Sequence, residues 1–222
     1  MGRSGQLDRL WRQSGLASIN TFYSRVTEKL GFTAIRHEGK VTGLAAYVDP
    51  PAALVTHMAK RVRFEAPGFT RDSATKAATA DDAFWSVLDR YSREEVSAAA
   101  QQVLEQAVVH FVAHWVAQTG CGHVAVAGGT FANVKLNQRI VALPSVESLW
   151  VMPHMGDGGL AVGGALGSAG ATPAPTNNVF WGTDADAKSI RRALSVAGLS
   201  KRKTDNIHER VADVLAEGKV VA

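Results

Sequence analysis

Residues 123–170 constrain the fold of this chain more than any other region, because two short apolar runs there each lead through glycines into a helical pattern. The apolar runs have the length of buried strands, and the segments after the glycines have the length of helices. In chain order the segments are HVAVAGG (123–129), FANVKLNQRIVAL (131–143), VESLWVMP (146–153), HMGDGG (154–159) and LAVGGALGSAG (160–170). A repeated strand–turn–helix order is typical of parallel strands whose carboxyl ends bind ligands. The sequence therefore predicts an α/β fold with a ligand site at two glycine turns.

The first glycine turn contains Gly128 and Gly129, between the first predicted strand and its helix. Glycine lets a ligand approach the backbone closely, and the free N–H groups at a helix start suit a phosphate. Asn133 and Asn137 are four residues apart, which predicts that their amides share one helix face. A tight strand–helix turn also needs glycine for structural reasons alone, so the pattern leaves both interpretations open.

The second glycine turn places Asp157 between Gly156 and Gly158. A carboxylate at a strand end suits a hard cation such as Mg²⁺ at the phosphates of a nucleotide. The structural alternative is an Asp-Gly turn that caps the next helix, which is a common arrangement. His154 in the same turn is interpreted as an exposed turn histidine in preference to a metal ligand.

The residues before this region are predicted to be mostly helical. Helices are predicted at 17–30, from Pro50-Pro51 onward, at 81–90, and from the N-cap Ser92 to Gly120, the last with Glu95 completing a capping box. The segment 36–49 is punctuated by glycine and carries no helix prediction. RVRFEA (61–66) predicts a short edge strand, and the following PGFTRDSATKAATA (67–80) is predicted to be a loop.

Composition excludes several classes of protein. The net charge is only +4, and the densest basic run, at 201–203, stands beside Asp205 and Glu209, so nucleic-acid binding is not expected. The single cysteine, Cys121, excludes a disulfide within the chain and favours a reducing, cytoplasmic location. No apolar run reaches the length of a membrane-spanning helix, and no membrane partner is expected.

His110 and His114 form an H-x-x-x-H pair on the predicted long helix. This spacing places two imidazoles on one helix face, which is how some zinc sites begin. No glutamate follows His110, as a zinc protease motif requires. The interpretation is therefore a surface or packing role for both histidines.

The order of short motifs along the chain resembles the carbamoyltransferase family of antibiotic-tailoring and nodulation enzymes. The matching residues are Phe22-Tyr23-Ser24, Thr27, Leu30-Gly31-Phe32, the run from Glu38 to Tyr47, Gln101, Leu104-Glu105, Gly128-Gly129, Asn133, Asn137, and the run from Gly156 to Ala161. The departures are Thr42 for methionine, Ala46 for proline, Val48 for glycine, and Thr130-Phe131 for Val-Ala. The bulky Phe131 is expected to narrow the nucleotide pocket.

The resemblance implies a fold and an activity. The fold would be the second lobe of an actin-like ATPase domain, incomplete in 1–170, then a linker at 171–178 and the beginning of a YrdC-like domain at 179–222. The family converts carbamoyl phosphate and ATP into a carbamoyl-adenylate and passes the carbamoyl group to a hydroxyl of a small molecule. No catalytic base is implied, and a homodimer of the complete protein stays open.

The resemblance also implies the site residues and what the chain does alone. Gly128, Gly129, Asn133 and Gly158 would line the ATP site, Lys40 would face the nucleotide, and Asp157 would hold a divalent iron or Mg²⁺ ion. The family's first lobe, with its paired histidines, and its FGPRALG signature have no counterpart in this sequence, so the chain alone is expected to show no transfer and feeble ATP binding. Two alternatives stay open: a threonylcarbamoyl-transfer enzyme acting on tRNA, and a catalytically inactive binding module.

Overall fold

The computed structural model of the chain describes residues 1–3, 6–14, 18–70, 83–169, 179–180, 182–201 and 205–221. The chain divides into two compact units, Met1–Ala174 and Pro175–Ala222. The boundary falls inside the predicted linker 171–178, whose residues lie outside the described ranges. None of the helices in those ranges combines the length and the apolar character that crossing a membrane requires.

The architecture is mixed α/β, with helices predominating. The helices are α1 (Ile19–Lys29), α2 (Glu38–Leu44), α3 (Ala52–Ala59), α4 (Arg93–Thr119), α5 (Val134–Val141), α6 (Gly159–Ala169), α7 (Ala187–Val196) and α8 (Ile207–Ala216). The strands are β1 (Gly2–Arg3), β2 (Gln6–Leu7), β3 (Arg63–Glu65), β4 (Gly68–Thr70), β5 (His123–Val126) and β6 (Ser148–Val151). Helices α7 and α8 belong to the second unit, and the other elements belong to the first.

The long helix α4 is the centre of the first unit. Its start is fixed by the predicted capping box, in which Ser92 Oγ accepts from Glu95 N at 3.1 Å and Glu95 accepts from Ser92 N at 2.8 Å. Its end is fixed by Gly120 in a left-handed conformation. Helices α1, α2, α3 and α5 and the β3–β4 hairpin all pack on α4. Its buried face carries the core, including Val96, Ala99, Ala100, Val103, Leu104, Ala107, Val108, Val112 and Val116.

Strands β5 and β6 are paired in parallel, with Val126 opposite Val151. The sequence prediction of parallel strands is therefore confirmed. Helix α5 is the crossover between the strands, and its Leu136 and Ile140 are fully buried against the core. Because the strands are parallel, the turns that follow both of them lie at the same edge of the sheet.

Two sequence predictions of secondary structure are wrong, and one helix forms where none was predicted. The helix predicted from Phe131 begins only at Val134, because Gly129–Ala132 forms a turn of 3₁₀ helix first. Residues 38–44 form α2 within the glycine-punctuated segment 36–49, which carried no helix prediction. Gly68–Thr70 is not a loop but pairs with β3, which places Phe69 opposite Phe64.

Candidate functional site

The two glycine turns meet at the edge of the β5–β6 sheet. Gly128 N donates to Met155 O at 2.7 Å, so a backbone hydrogen bond joins the first turn to the second. Gly128 has φ 104° and ψ 153°, a conformation that is essentially restricted to glycine. A Cβ atom on Gly129 would meet no atom within 4 Å, so this residue faces open space.

The second turn needs glycine at position 159, because the chain passes close to itself there. A Cβ atom on Gly159 would collide with the carbonyl oxygen of His154, whereas one on Gly158 would meet only the end of the exposed His154 side chain, which can move. Asp157 is exposed, and its carbonyl oxygen accepts from Leu160 N at 3.1 Å at the start of α6. In the described part of the chain its carboxylate has no protein partner, and no three His, Cys, Asp or Glu side chains are grouped as metal ligands.

The first turn opens into a cavity of about 550 Å³ between α1, α2 and the start of α5. We call it the turn cavity. Its lining is Asn20, Tyr23, Ser24, Ile35, Arg36, Glu38, Gly39, Thr42, Leu104, Gly129, Thr130, Ala132, Asn133 and Val134. Of the residues that the sequence singled out, the cavity therefore brings together Gly129 and Asn133. The other glycine-turn residues, Gly128, Asp157 and Gly158, lie outside its lining.

A buried hydrogen-bond network forms the floor of the turn cavity. Gln101 and Asn133 form a reciprocal amide pair, with distances of 2.8 and 3.1 Å. The hydroxyl of Tyr23 donates to Gln101 Oε1 at 2.9 Å and lies 3.1 Å from Thr42 Oγ1. Gln101 Nε2 also donates to Glu105 at 2.9 Å. Tyr23 and Gln101 are each only 6% exposed, whereas Thr42 and Asn133 are half-buried, and the partners of this network fix one another.

Asn133 is the N-cap of α5, not a residue within the helix. Its Oδ1 accepts from Leu136 N at 3.0 Å and from Gln101, while its Nδ2 donates to Gln101 and to Thr42 at 3.3 Å. These four bonds use the full hydrogen-bonding capacity of an asparagine amide. Asn137 lies within α5, and its Nδ2 donates to Phe131 O at 2.8 Å. Asn133 therefore positions the first turn and the start of α5.

The free energy of unfolding is expected to depend on pH through Tyr23, which lies in the floor of the turn cavity. Burial raises the pKa of Tyr23 from 10.0 to about 12, nearby Glu105 and Glu38 add to the rise, and the hydrogen bond with Thr42 opposes it. The unfolded chain loses the phenol proton first, so the stabilisation is complete below pH 10 and is lost as the pH rises through 12.

We expect the free energy of unfolding to fall by roughly 2–3 kcal/mol between pH 10 and pH 12. Chemical denaturation at several alkaline pH values, compared with Tyr23→Phe, measures the effect. An equal fall in the Phe variant would contradict it.

The remaining predicted residues are placed away from the cavity. Lys40 is exposed, and its ammonium lies over the ring of Phe32 at 5.4 Å from the ring centroid, outside the cavity lining. Its contact with a nucleotide stays a prediction. Phe131 packs against the hydrophobic core and does not line the cavity, so it does not narrow it.

His110 and His114 belong to a different region of α4. His110 is exposed, and His114 packs against aromatic rings, at 5.4 Å from Phe64 and 5.3 Å from Trp115 between ring centroids.

We expect the double variant His110→Ala, His114→Ala to leave the metal content of the complete protein unchanged, because both histidines lie outside the glycine-turn region. Elemental analysis of purified wild-type and variant protein checks this. Loss of a stoichiometric ion would contradict it.

Fold and site together define an α/β domain that offers two linked glycine turns beside a small-molecule cavity. Residues 4–166 match the carbamoyltransferase N-terminus family, and the chain belongs to that family. It is 28% identical over 93% of its length to the uncharacterized protein MJ1058 of Methanocaldococcus jannaschii, and 27% identical over 92% to the nodulation protein NolO of Bradyrhizobium diazoefficiens. It is 25% identical over 92% of its own length to the nodulation protein NolNO of Sinorhizobium fredii. The chain spans only 36%, 39% and 32% of the lengths of these three relatives, in the order given.

Sequence reasoning did not identify the cavity floor as part of the site. Tyr23, Gln101 and Glu105 had served only to mark the resemblance, and Tyr23 on α1 is 78 residues from Gln101 on α4. The available signal was that polar Gln101 stands among the apolar positions of α4, where a buried amide requires partners. Which partners it has depends on the packing of α1, α2 and α5 on α4.

Proposed function

We propose that the complete protein transfers a carbamoyl group from carbamoyl phosphate to a hydroxyl of a small-molecule acceptor, with ATP consumed to form a carbamoyl-adenylate. Carbamoyl phosphate first loses its phosphate to water and gives carbamate, a carbamate oxygen then attacks the α-phosphorus of ATP, and pyrophosphate leaves. The acceptor hydroxyl next attacks the carbamoyl carbon of the adenylate and gives its proton to solvent, the bond to the adenylate oxygen breaks, and AMP leaves. Family membership supports the carbamoyl chemistry. In that reaction the role of this chain is to bind the nucleotide. The observation that supports this role is the turn cavity beside the two glycine turns, which a backbone hydrogen bond joins.

The turn cavity suits the nucleoside part of ATP. Its volume of about 550 Å³ lies within the range of small-molecule sites, which is roughly 300–1,000 Å³. Its walls combine aliphatic side chains with polar groups from Asn20, Ser24, Arg36 and Glu38. A lining of this kind can hold a ring by apolar contact and orient it through a few hydrogen bonds.

The glycine turns suit the phosphates. Gly129 begins the 3₁₀ turn that precedes α5, and Gly158 stands directly before α6, so both turns present backbone N–H groups at the start of a helical turn. The N–H of Gly128 is not among them, because it is bonded to Met155 O. The hydrogen bond from Gly128 to Met155 holds the two turns side by side, which lets one polyphosphate reach both. In this arrangement Gly129 stands between the cavity and the phosphate positions.

Asp157 suits a divalent metal ion, either Mg²⁺ or iron. Its exposed carboxylate is free of protein partners in the described ranges and stands in the turn that would receive the phosphates. When bound, the ion would neutralise phosphate charge. One carboxylate does not complete a coordination shell, so phosphate oxygens, water or protein groups outside the described residues would supply the other ligands.

A glycine substitution tests nucleotide binding without disturbing the fold. Gly129→Val should block the cavity mouth, because a side chain there meets no protein atom within 4 Å and therefore occupies the open space. Gly167→Val is the matched control, since Gly167 is equally unobstructed but lies near the end of α6, outside the cavity lining. Titration of the chain with ATP and Mg²⁺, followed by NMR so that millimolar affinity is detectable, should show binding lost in the first variant and kept in the second.

The transfer itself is tested on the complete protein. Carbamoyl phosphate and ATP should yield AMP and a carbamoylated acceptor, and Gly129→Val should prevent this while Gly167→Val does not. ATP binding by the chain that is unchanged in Gly129→Val would exclude the turn cavity as the nucleotide site. Carbamoyl transfer that proceeds without ATP would refute the adenylate step.

A further inference from the structure

Ile35 has an unusual backbone conformation for an isoleucine. Its φ is 69°, and among the described residues it is the one non-glycine position with positive φ. A β-branched residue in this region is a genuine outlier, and its backbone is strained. Its side chain is also 89% exposed, so the strain does not serve to bury apolar surface in the core.

The surrounding turn holds Ile35 in this conformation. Ile35 N donates to Glu38 Oε1 at 2.7 Å, and the same oxygen accepts from Ser24 Oγ at 2.9 Å, which ties the turn to α1. His37 N closes the turn by donating to Thr33 O at 3.0 Å. A glycine would adopt the same backbone without strain, so the turn by itself does not account for an isoleucine side chain.

The position of Ile35 suggests what its side chain does. Ile35 lines the turn cavity, and Val134, at the start of α5, lines it too and is 75% exposed. Two exposed aliphatic side chains from separate elements thus border one cavity. The polar groups of Asn20, Ser24 and Arg36 border the same cavity and are available to orient a ligand. Exposed apolar surface of this kind gains free energy only when a ligand or partner covers it.

We propose that Ile35 and Val134 contact the planar base of the nucleotide, and that the Glu38 carboxylate holds Ile35 in the position for this contact. This inference rests on the proposed nucleotide site. A flat heteroaromatic ring presents the apolar face that aliphatic side chains can cover, whereas the phosphates and ribose are too polar for that contact. The strain at Ile35 is then compensated when the ring is bound.

Substitution at position 35 should separate stability from ligand affinity. Ile35→Gly and Ile35→Asn both suit a positive φ and remove the apolar contact, so we expect unchanged or higher thermal stability. We expect the affinity for ATP with Mg²⁺ to fall about tenfold, which corresponds to about 1.4 kcal/mol. Val141→Ala is the control, because Val141 is an exposed valine on α5 that does not line the cavity.

NMR of the chain labelled at the isoleucine δ1-methyl groups and at backbone amides gives a direct readout. With ATP and Mg²⁺, the Ile35 methyl should show a ring-current shift that the Ile190 methyl lacks. Shifts at the Gly129 and Thr130 amides without a shift at Ile35, or an unchanged affinity in both variants, would overturn the role of Ile35 and leave the proposed function standing. No shift at any of these groups at millimolar ATP would overturn both.

Discussion

Replacing Gln101 with Leu is expected to lower the free energy of unfolding by about 2–6 kcal/mol, although the two side chains are similar in size. The change removes the acceptor for the Tyr23 hydroxyl and both partners that Gln101 offers to Asn133. A buried polar group left without its partner costs about 1–3 kcal/mol, and this variant leaves two such groups incomplete. Chemical denaturation of the chain followed by circular dichroism measures the effect.

Gln106→Leu is the matched control for this experiment. Gln106 lies on α4 as well, but its side chain is exposed, and a surface substitution of this kind usually changes stability by less than about 0.5 kcal/mol. The Gln101 variant should also weaken ATP binding, because Asn133 loses the partner that holds the first turn and the cap of α5. Equal stability of the two variants would show that the network contributes little to the floor.

Local sequence signals predicted the elements that depend on local chemistry. The capping box of Ser92 and Glu95 fixed the start of α4, and Gly31 and Gly120 marked two helix ends, because these interactions lie within a few residues of one another. The parallel pairing of β5 and β6 followed from the strand–helix–strand order, since a parallel pair needs such a crossover. Both glycine turns could be predicted as well, because each one lies between a strand pattern and a helix pattern in the sequence.

Other features depend on contacts between distant parts of the chain. Asn133 was assigned to a helix interior because the apolar pattern continues through Phe131, and its role as a cap appears only when its partners on α4 and α2 are known. The conformation of Ile35 contradicts the local preference of isoleucine and is imposed by Glu38 and Ser24. Helix α2 forms despite two glycines because its Val41 is fully buried in the core.

The glycine-turn region is thus divided between a part that stabilises the fold and a part that is free to bind ligands. The cavity floor is saturated with internal hydrogen bonds, whereas Gly129, the Ile35 side chain and the Asp157 carboxylate have, among the residues that the structure describes, no partner that would be lost on binding. Substitutions in the floor should therefore change stability first. Substitutions of the free groups should change binding or activity with little effect on stability.

Asp157→Asn in the complete protein is expected to reduce carbamoyl transfer by at least about a hundredfold in kcat/KM, which is roughly 2.7 kcal/mol of barrier. The amide keeps the size of the side chain but removes the negative charge that a divalent cation at the phosphates requires. The melting temperature should not change, because the carboxylate is exposed and makes no hydrogen bond within the described residues. Asp184→Asn serves as the control, since Asp184 is equally exposed but lies outside the glycine turns. Steady-state kinetics at several Mg²⁺ and Fe²⁺ concentrations, with circular dichroism of both variants, measure the effect. Activity of Asp157→Asn within about threefold of the wild type, under ~0.7 kcal/mol of barrier, would exclude a metal role for this carboxylate.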